Sequence, residues 1–68
     1  MNPIFQNIRI GKNYQLVNYG EKTIFTVLRR ISDTNFLVKN LASLEKFELA
    51  ELVQFGVGKD FEIVELEK

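Results

Sequence analysis

Residues 23–31 (TIFTVLRRI) constrain the fold of this chain more than any other segment. Alternate positions of a β-strand point to opposite faces, and both faces of this segment are partly apolar. One face carries Phe25 and Val27, and the other carries Ile24 and Leu28. A strand that is apolar on both sides is expected to be long and bent and to serve both sheets of a small barrel. The segment therefore predicts a mainly β fold.

Four further segments have the character of strands. They contain aromatic and β-branched residues or alternate between apolar and polar positions, and residues typical of turns separate them. These segments are residues 14–19, 36–41, 46–49 and 61–66. Turns are expected at residues 19–22, 32–35 and 56–60. The chain therefore predicts five strands joined mostly by short turns.

Residues 42–55 allow two interpretations. Their helix propensity is high, with Asn40 available as a cap and Gly56 as a stop, so a helix over 42–55 in an α+β fold is one alternative. On a single helix, however, the apolar side chains would scatter around the axis instead of forming one stripe. A strand with Phe47 and Leu49 facing inward, followed by one helical turn, orders them better. We therefore expect a five-stranded barrel with one short helical turn before the last strand.

The N-terminal residues 1–10 are also ambiguous. An Asn-Pro pair at residues 2–3 is typical of a helix start, whereas isoleucines at even positions suit an extended segment. Under both interpretations the isoleucines are expected to cover one end of the core. They are Ile4, Ile8 and Ile10.

The hydrophobic core follows from the same alternation. A chain of 68 residues must bury nearly every large apolar side chain to offset its conformational entropy. The sequence contains no cysteine, so packing alone must hold this single domain together. The residues predicted to be largely buried are Phe25, Val27, Phe36, Val38, Phe47, Leu49, Leu52, Phe61 and Ile63.

This order of strands and turns resembles an SH3-like barrel of the Tudor type. The residues that carry the resemblance are 11–14, Phe25 and Val27, 36–39, 47–49 and 61–63. The chain also resembles small uncharacterised proteins of some bacteria that share a GxGxDFE-like ending, here residues 56–62 (GVGKDFE). The resemblance covers about residues 9–66 and implies one SH3-like domain over 1–68 that binds or scaffolds. A complete aromatic cage for a methylated lysine is not expected, because residues 40–45 include no aromatic side chain.

Composition argues against catalysis. The chain has no histidine and no cysteine, which removes Ser-His and Cys-His nucleophile activation and the usual transition-metal ligands. A domain this small also has few residues to spare for a catalytic cleft. We therefore expect a protein that is not an enzyme and that has no cofactor and no metal site.

Charge and hydropathy bear on partners and location. Nine basic and nine acidic residues cancel, which disfavours nucleic-acid binding; that alternative would need Arg29 or Arg30 to cluster with Lys12, Lys22 and Lys39. The sequence has no apolar run long enough to span a bilayer, so we expect no membrane partner. It also begins without the pattern of a secretory signal, so a cytoplasmic location is expected.

The leading functional hypothesis is a small module that binds a protein segment through loops at one end of the barrel. Side chains at turns are the candidates, because core packing constrains them least. The candidate ligand-binding residues are Tyr19, Asp33, Asn35, Phe55 and Lys59. A third hypothesis is self-association through Ile24 and Leu28 or through an open barrel edge, so the chain is expected to be a monomer or a weak homodimer.

Overall fold

The computed structural model describes Phe5 and residues 7–67, and these residues form mainly β-strands. The strands are β1 (Asn13–Asn18), β2 (Glu21–Ser32), β3 (Asn35–Asn40), β4 (Lys46–Glu48) and β5 (Glu62–Leu66). A 3₁₀-helical turn, η1 (Leu49–Val53), lies between β4 and β5. The five strands form one antiparallel sheet in the order β4-β3-β2-β1-β5.

The expected helical turn before the last strand is confirmed, and the alternative of a helix over 42–55 is wrong. The Asn40 side chain starts a tight turn instead, because its Oδ1 accepts hydrogen bonds from the backbone N–H groups of Ala42 (2.7 Å) and Ser43 (3.1 Å). Such local bonding competes with helix formation despite a favourable propensity. In the described part of the chain, no helix is long and apolar enough to cross a bilayer.

Strand β2 holds the sheet together by pairing with a different neighbour along each half. Residues 21–26 pair with β1, and residues 25–32 pair with β3. Register shifts lie between Val27 and Arg29 and between Arg30 and Ser32, where an extra residue bends a strand. The expected long, bent strand is therefore present, but it joins two parts of one sheet and not the two sheets of a barrel.

The backbone pairing does not close into the predicted barrel. Within residues 7–67, β4 and β5 are the two edges of the sheet, and no ladder joins them. Strand β4 has only three residues and runs directly into η1, so the chain leaves the sheet before it can pair with β5. The structure is thus an open five-stranded sheet.

The buried side chains lie on one face of this sheet and beneath η1. Five of the nine predicted core residues are buried, namely Phe25, Val27, Phe36, Val38 and Leu49. The other four are half-buried and pack against that core; they are Phe47, Leu52, Phe61 and Ile63. Phe5, Tyr14 and Leu16 complete the core and were not among the predicted residues.

The N-terminal isoleucines behave differently from one another. Ile8 packs against the core as expected, whereas Ile10 is 58% exposed, contrary to the prediction. Ile10 precedes Gly11, whose N–H donates to the Val27 carbonyl (2.8 Å), so the chain here runs alongside β2 just before β1 begins. Residues 1–4, including the Asn-Pro pair and Ile4, lie outside the described residues.

A polar network fastens this N-terminal segment to β1 and β5. The Arg9 guanidinium donates to both carboxylate oxygens of Glu65, at 2.7 and 3.4 Å. The hydroxyl of buried Tyr14 lies 3.1 Å from Glu65 Oε1 and accepts a hydrogen bond from the Arg9 backbone N–H (2.8 Å). The hydrogen bond from Arg9 lowers the pKa of Glu65, and the bond from Tyr14 acts in the same direction.

Replacement of Phe25 by alanine tests the core. Phe25 is fully buried, so Phe25→Ala removes its buried surface and leaves a cavity, and the free energy of unfolding should fall by about 3–5 kcal/mol. Urea denaturation measures the loss. Ile24→Ala on the opposite face, where the side chain is 37% exposed, should cost clearly less. A loss below about 1 kcal/mol for Phe25→Ala would place Phe25 outside the core.

Replacement of Glu65 by glutamine tests the N-terminal network through its pH dependence. The folded-state pKa of Glu65 lies below its ordinary value of 4.5, so its stabilisation is present above that value and is lost as the pH falls through the folded pKa. Denaturant titrations from about pH 6 to about pH 3 should therefore show a smaller loss of stability in Glu65→Gln than in the wild type. Parallel profiles for the two proteins would contradict this role of Glu65.

Candidate functional site

The β1–β2 hairpin turn is the first element of the candidate site. Asn18 and Glu21 are paired residues, so Tyr19 and Gly20 form a two-residue loop. Both have positive φ, 52° for Tyr19 and 79° for Gly20, as a type I′ turn requires. Glycine adopts this conformation freely, whereas an aromatic residue does so at a cost. The turn therefore needs support from elsewhere in the chain.

Asp60 provides this support. Its Oδ1 accepts a hydrogen bond from the Tyr19 N–H (2.9 Å), and its Oδ2 accepts one from the Gly20 N–H (2.7 Å). Hydrogen bonds to a carboxylate are stronger than those between neutral groups. Asp60 itself lies in a turn that the Phe61 N–H closes on the Gly58 carbonyl (3.2 Å). The carboxylate thus binds the loop before β5 to the tip of the first hairpin.

The buried side chain of Asn18 makes a second connection between these segments. Its Nδ2 donates to the carbonyls of Leu52 (3.0 Å) and Gly56 (3.1 Å). Its Oδ1 accepts from the Gly58 N–H (2.8 Å). A buried amide must be hydrogen-bonded to offset its desolvation. The Asn18 amide bonds to three backbone groups of η1 and the following loop. Residues 52–58 are therefore held against the end of β1.

The Tyr19 ring packs on the glycines of that loop. A Cβ atom at Gly58 would lie 2.9 Å from Cδ1 of Tyr19, and one at Gly56 would lie 3.1 Å from its hydroxyl oxygen. At Gly56 the positive φ of 108° is a further reason for glycine. The two glycines are thus explained by the close approach of one aromatic ring.

A cleft with a volume of about 270 Å³ opens beside this ring. Tyr19 and Phe55 line it, together with the acidic residues Glu21 and Glu51. The Phe55 side chain is 86% exposed, the largest exposed fraction among the large apolar residues of the described chain, and Tyr19 is 60% exposed. The remaining lining residues are Asn18, Leu52, Gln54 and Gly56. The cleft therefore combines two aromatic rings with two carboxylates.

The two acidic side chains of the cleft differ in their hydrogen bonding. Glu51 Oε2 accepts a hydrogen bond from the Glu48 N–H (3.3 Å) as part of a capping box at the start of η1. Glu21 makes no side-chain hydrogen bond or ion pair with any residue of the described part. Their negative charge is therefore not cancelled by an ion pair within the described chain.

The structure brings together only part of the predicted site. Tyr19 and Phe55 share the cleft, and Lys59 is exposed in the adjoining turn without lining it. Asp33 and Asn35 lie at the opposite end of β2. Asn35 joins the start of η1, donating to Glu48 Oε1 (2.9 Å) and accepting from the Ala50 N–H (3.0 Å).

Of the three turns expected at residues 19–22, 32–35 and 56–60, the first and the third meet through Asp60, and the second lies at the other end of β2. The long strand β2 separates the 33–35 turn from the Tyr19–Gly20 turn, and the Asn35 Oδ1 accepts hydrogen bonds from the backbone N–H groups of Phe36 and Ala50.

Four residues important to the cleft were not among the predicted site residues. Asn18 and Asp60 position its walls, and Glu21 and Glu51 supply its charge. The available signal was weak. Asn18 precedes an aromatic-glycine turn and Asp60 follows two closely spaced glycines, but nothing in the sequence places the two segments next to each other.

Known proteins give no guide to this site: comparison of the chain with protein-family models, curated proteins and solved structures finds no match. Residues 5 and 7–67 contain no group of three or more carboxylates arranged to hold a metal ion. What the cleft offers is an exposed aromatic surface, two carboxylates and a loop fixed by hydrogen bonds. This chemistry suits recognition of another molecule.

Substitution of Gly58 tests the packing of Tyr19 on the loop. Gly58→Ala should cost about 1–3 kcal/mol of unfolding free energy, because its Cβ would overlap the ring. In a Tyr19→Asn background the ring is gone, and asparagine suits the first position of a type I′ turn. Chemical denaturation of the four proteins in this cycle should give a coupling of about 1 kcal/mol. Equal costs of Gly58→Ala in both backgrounds would contradict the proposed contact.

Proposed function

We propose that this protein is a non-catalytic interaction module that binds a segment of another protein in the cleft between Tyr19 and Phe55. The observation that carries the proposal is the 86% exposure of Phe55 beside a second exposed aromatic ring. Folding gains little from an aromatic ring that stays in water. Aromatic side chains do contribute strongly to protein–protein interfaces, where they anchor a partner.

The hydrogen bonds around the cleft support this proposal. Asn18 holds the backbone on both sides of Phe55 through three bonds of 2.8–3.1 Å. Asp60 connects the same loop to the Tyr19–Gly20 turn through two bonds of 2.9 and 2.7 Å. A surface that is ordered before binding loses less conformational entropy when the partner arrives. The anchor residue is therefore presented by a preorganised loop.

The exposed ring at the margin of the cleft favours a peptide segment over an enclosed small molecule. The cleft volume of about 270 Å³ falls just below the range of roughly 300–1,000 Å³ that is typical of small-molecule pockets. An exposed phenyl ring at its margin offers a contact to a partner that extends beyond the cleft. A protein segment can use both the cleft and this ring.

The sheet order supports an SH3-like arrangement, which we propose for the fold. The chain passes through five strands in the spatial order β5-β1-β2-β3-β4, with η1 before the last strand and a bent β2 shared between two neighbours. In this arrangement η1 and the first hairpin meet at one end of the sheet. The cleft lies at that junction.

Nucleic-acid binding is a weaker alternative. Arg30 is engaged within the chain, stacked 4.8 Å from the centre of the Phe36 ring and bonded to the Asp33 carbonyl (3.3 Å). Lys12 shares its surroundings with two glutamates, Glu65 and Glu67. These contacts leave a small basic surface for phosphate groups.

Self-association through the free edge of β5 is also disfavoured. This edge carries Glu62 and Glu65, and pairing with a second copy would bring acidic strands together. Of the apolar residues proposed for a self-contact, Ile24 is only 37% exposed and Leu28 is half-buried. A monomer is therefore the expected state.

Replacement of Phe55 by alanine tests the proposed function. A linear peptide selected from a random library against the wild-type protein is titrated by nuclear magnetic resonance, and its shifts should map to Tyr19, Gly20 and residues 51–58. Phe55→Ala should weaken binding at least about fivefold, or about 1 kcal/mol. Its unfolding free energy should stay within about 0.5 kcal/mol, because the ring is exposed in the folded state.

The matched control for Phe55→Ala is Leu44→Asn. Leu44 is another exposed apolar side chain (66%), it lies outside the cleft, and its positive φ of 65° suits asparagine. This variant should bind the peptide like the wild type. Unchanged affinity in Phe55→Ala, or shifts that map away from the cleft, would refute the proposal. Shifts produced by a short DNA or RNA strand at Lys22, Arg29 and Lys39 would instead favour the nucleic-acid alternative.

A further inference from the structure

We infer that the cleft takes the guanidinium group of an arginine side chain carried by the bound segment. The inference rests on the proposed function and specifies its ligand chemistry. Its basis is the juxtaposition of two carboxylates, Glu21 and Glu51, with two exposed aromatic rings, Tyr19 and Phe55, around one cleft.

The charge of the cleft indicates a cationic ligand. Glu21 lies at the start of β2, directly after the hairpin turn, and Glu51 lies in η1, so two separate elements bring negative charge to one place. Neither residue forms an ion pair with a cation in the described part of the chain. Lys59, in the adjoining turn, does not line the cleft. The positive charge that complements these carboxylates is therefore expected from the partner.

The aromatic rings also favour a cationic ligand. A cation above the face of an aromatic ring is attracted by its electron density, and the guanidinium group makes this contact more often than the ammonium group does. The chain itself contains such a contact, with the Arg30 guanidinium 4.8 Å from the centre of the Phe36 ring. At Tyr19 and Phe55 the rings are exposed, so they are accessible to a cation from outside.

The chemistry of the residues that line the cleft favours arginine over lysine. The guanidinium group is planar, it is less strongly hydrated than an ammonium group, and it can stack on a ring while its edge donates to a carboxylate. A cleft that has aromatic and acidic residues in its walls uses both properties at once. The ammonium group of lysine is a compact charge and can satisfy the carboxylates without the stacking.

The test compares three short probes on the intact chain. N-acetyl-Gly-Arg-Gly amide, the same peptide with citrulline, and the same peptide with lysine are titrated by nuclear magnetic resonance. Citrulline keeps the shape of arginine without its charge. The arginine probe should bind in the roughly millimolar range expected for so small a ligand, with the largest shifts at residues 19–21 and 51–56. The citrulline probe should bind at least about fivefold more weakly, and the lysine probe about two- to threefold more weakly.

Charge-removing variants assign the effect to the cleft. Glu21→Gln and Glu51→Gln should each weaken binding of the arginine probe about two- to fivefold, and glutamine at position 51 can still serve the capping box. Glu62→Gln is the control, because it removes an exposed carboxylate from β5, outside the cleft, and should change nothing.

The outcomes distinguish the two proposals. Equal affinity for the arginine and citrulline probes, or an unchanged affinity in the Glu21→Gln, Glu51→Gln double variant, overturns the arginine site. If a library-selected peptide without arginine still binds in a manner that depends on Phe55, the proposed function stands without this inference. If neither the probes nor any selected peptide shifts the cleft residues, both proposals fail.

Discussion

The Asn18 side chain is the interaction on which the rest of this end of the molecule depends. One buried amide at the end of β1 bonds to three backbone groups of a segment more than 30 residues later in the chain. Residues 54–61 form neither strand nor helix, so this loop lacks the regular backbone hydrogen bonds that hold the sheet and η1 in place. A buried amide without partners would be costly, so the loop and Asn18 stabilise each other. The position of Phe55, and with it the cleft, follows from this arrangement.

A second constraint lies in the hairpin turn, where the chain accepts an aromatic residue in a left-handed conformation. The geometry of the turn alone would favour asparagine over tyrosine at position 19. Two hydrogen bonds that the Asp60 carboxylate accepts from the turn, and contact of the ring with two glycines, offset part of the cost of tyrosine. Unfavourable local conformations that the surroundings maintain are found preferentially at functional sites. The turn therefore serves to place an aromatic ring beside the cleft at some cost to local propensity.

The fold was more predictable than the site because it depends on local patterns. Alternation in residues 23–31 and the scattering of apolar residues in 42–55 led to a long strand and a short helical turn, and both are present. The open sheet edge, the exposure of Ile10 and the engagement of Asn35 depend on contacts between distant segments. The hydrogen bonds of Asn18 and Asp60 to their partners in the other segment span 34–41 residues, and no local pattern encodes them. Exposed Phe55 was predictable only as a side chain at a turn.

Net charge describes the whole surface and says little about any one part of it. The chain is neutral overall, yet Lys39 and Lys46 face each other across β3 and β4, while Glu21 and Glu51 share the cleft. Like charges placed side by side are locally unfavourable. The neutrality of the whole chain does not require like charges to be grouped in this way. Interactions between exposed charges are largely screened beyond about 8–10 Å at physiological ionic strength, so the charges close to the cleft matter more to a ligand there than the net charge of the chain. The recognition proposed above therefore depends on local charge next to exposed aromatic surface, and the neutrality of the whole chain does not argue against a cationic ligand.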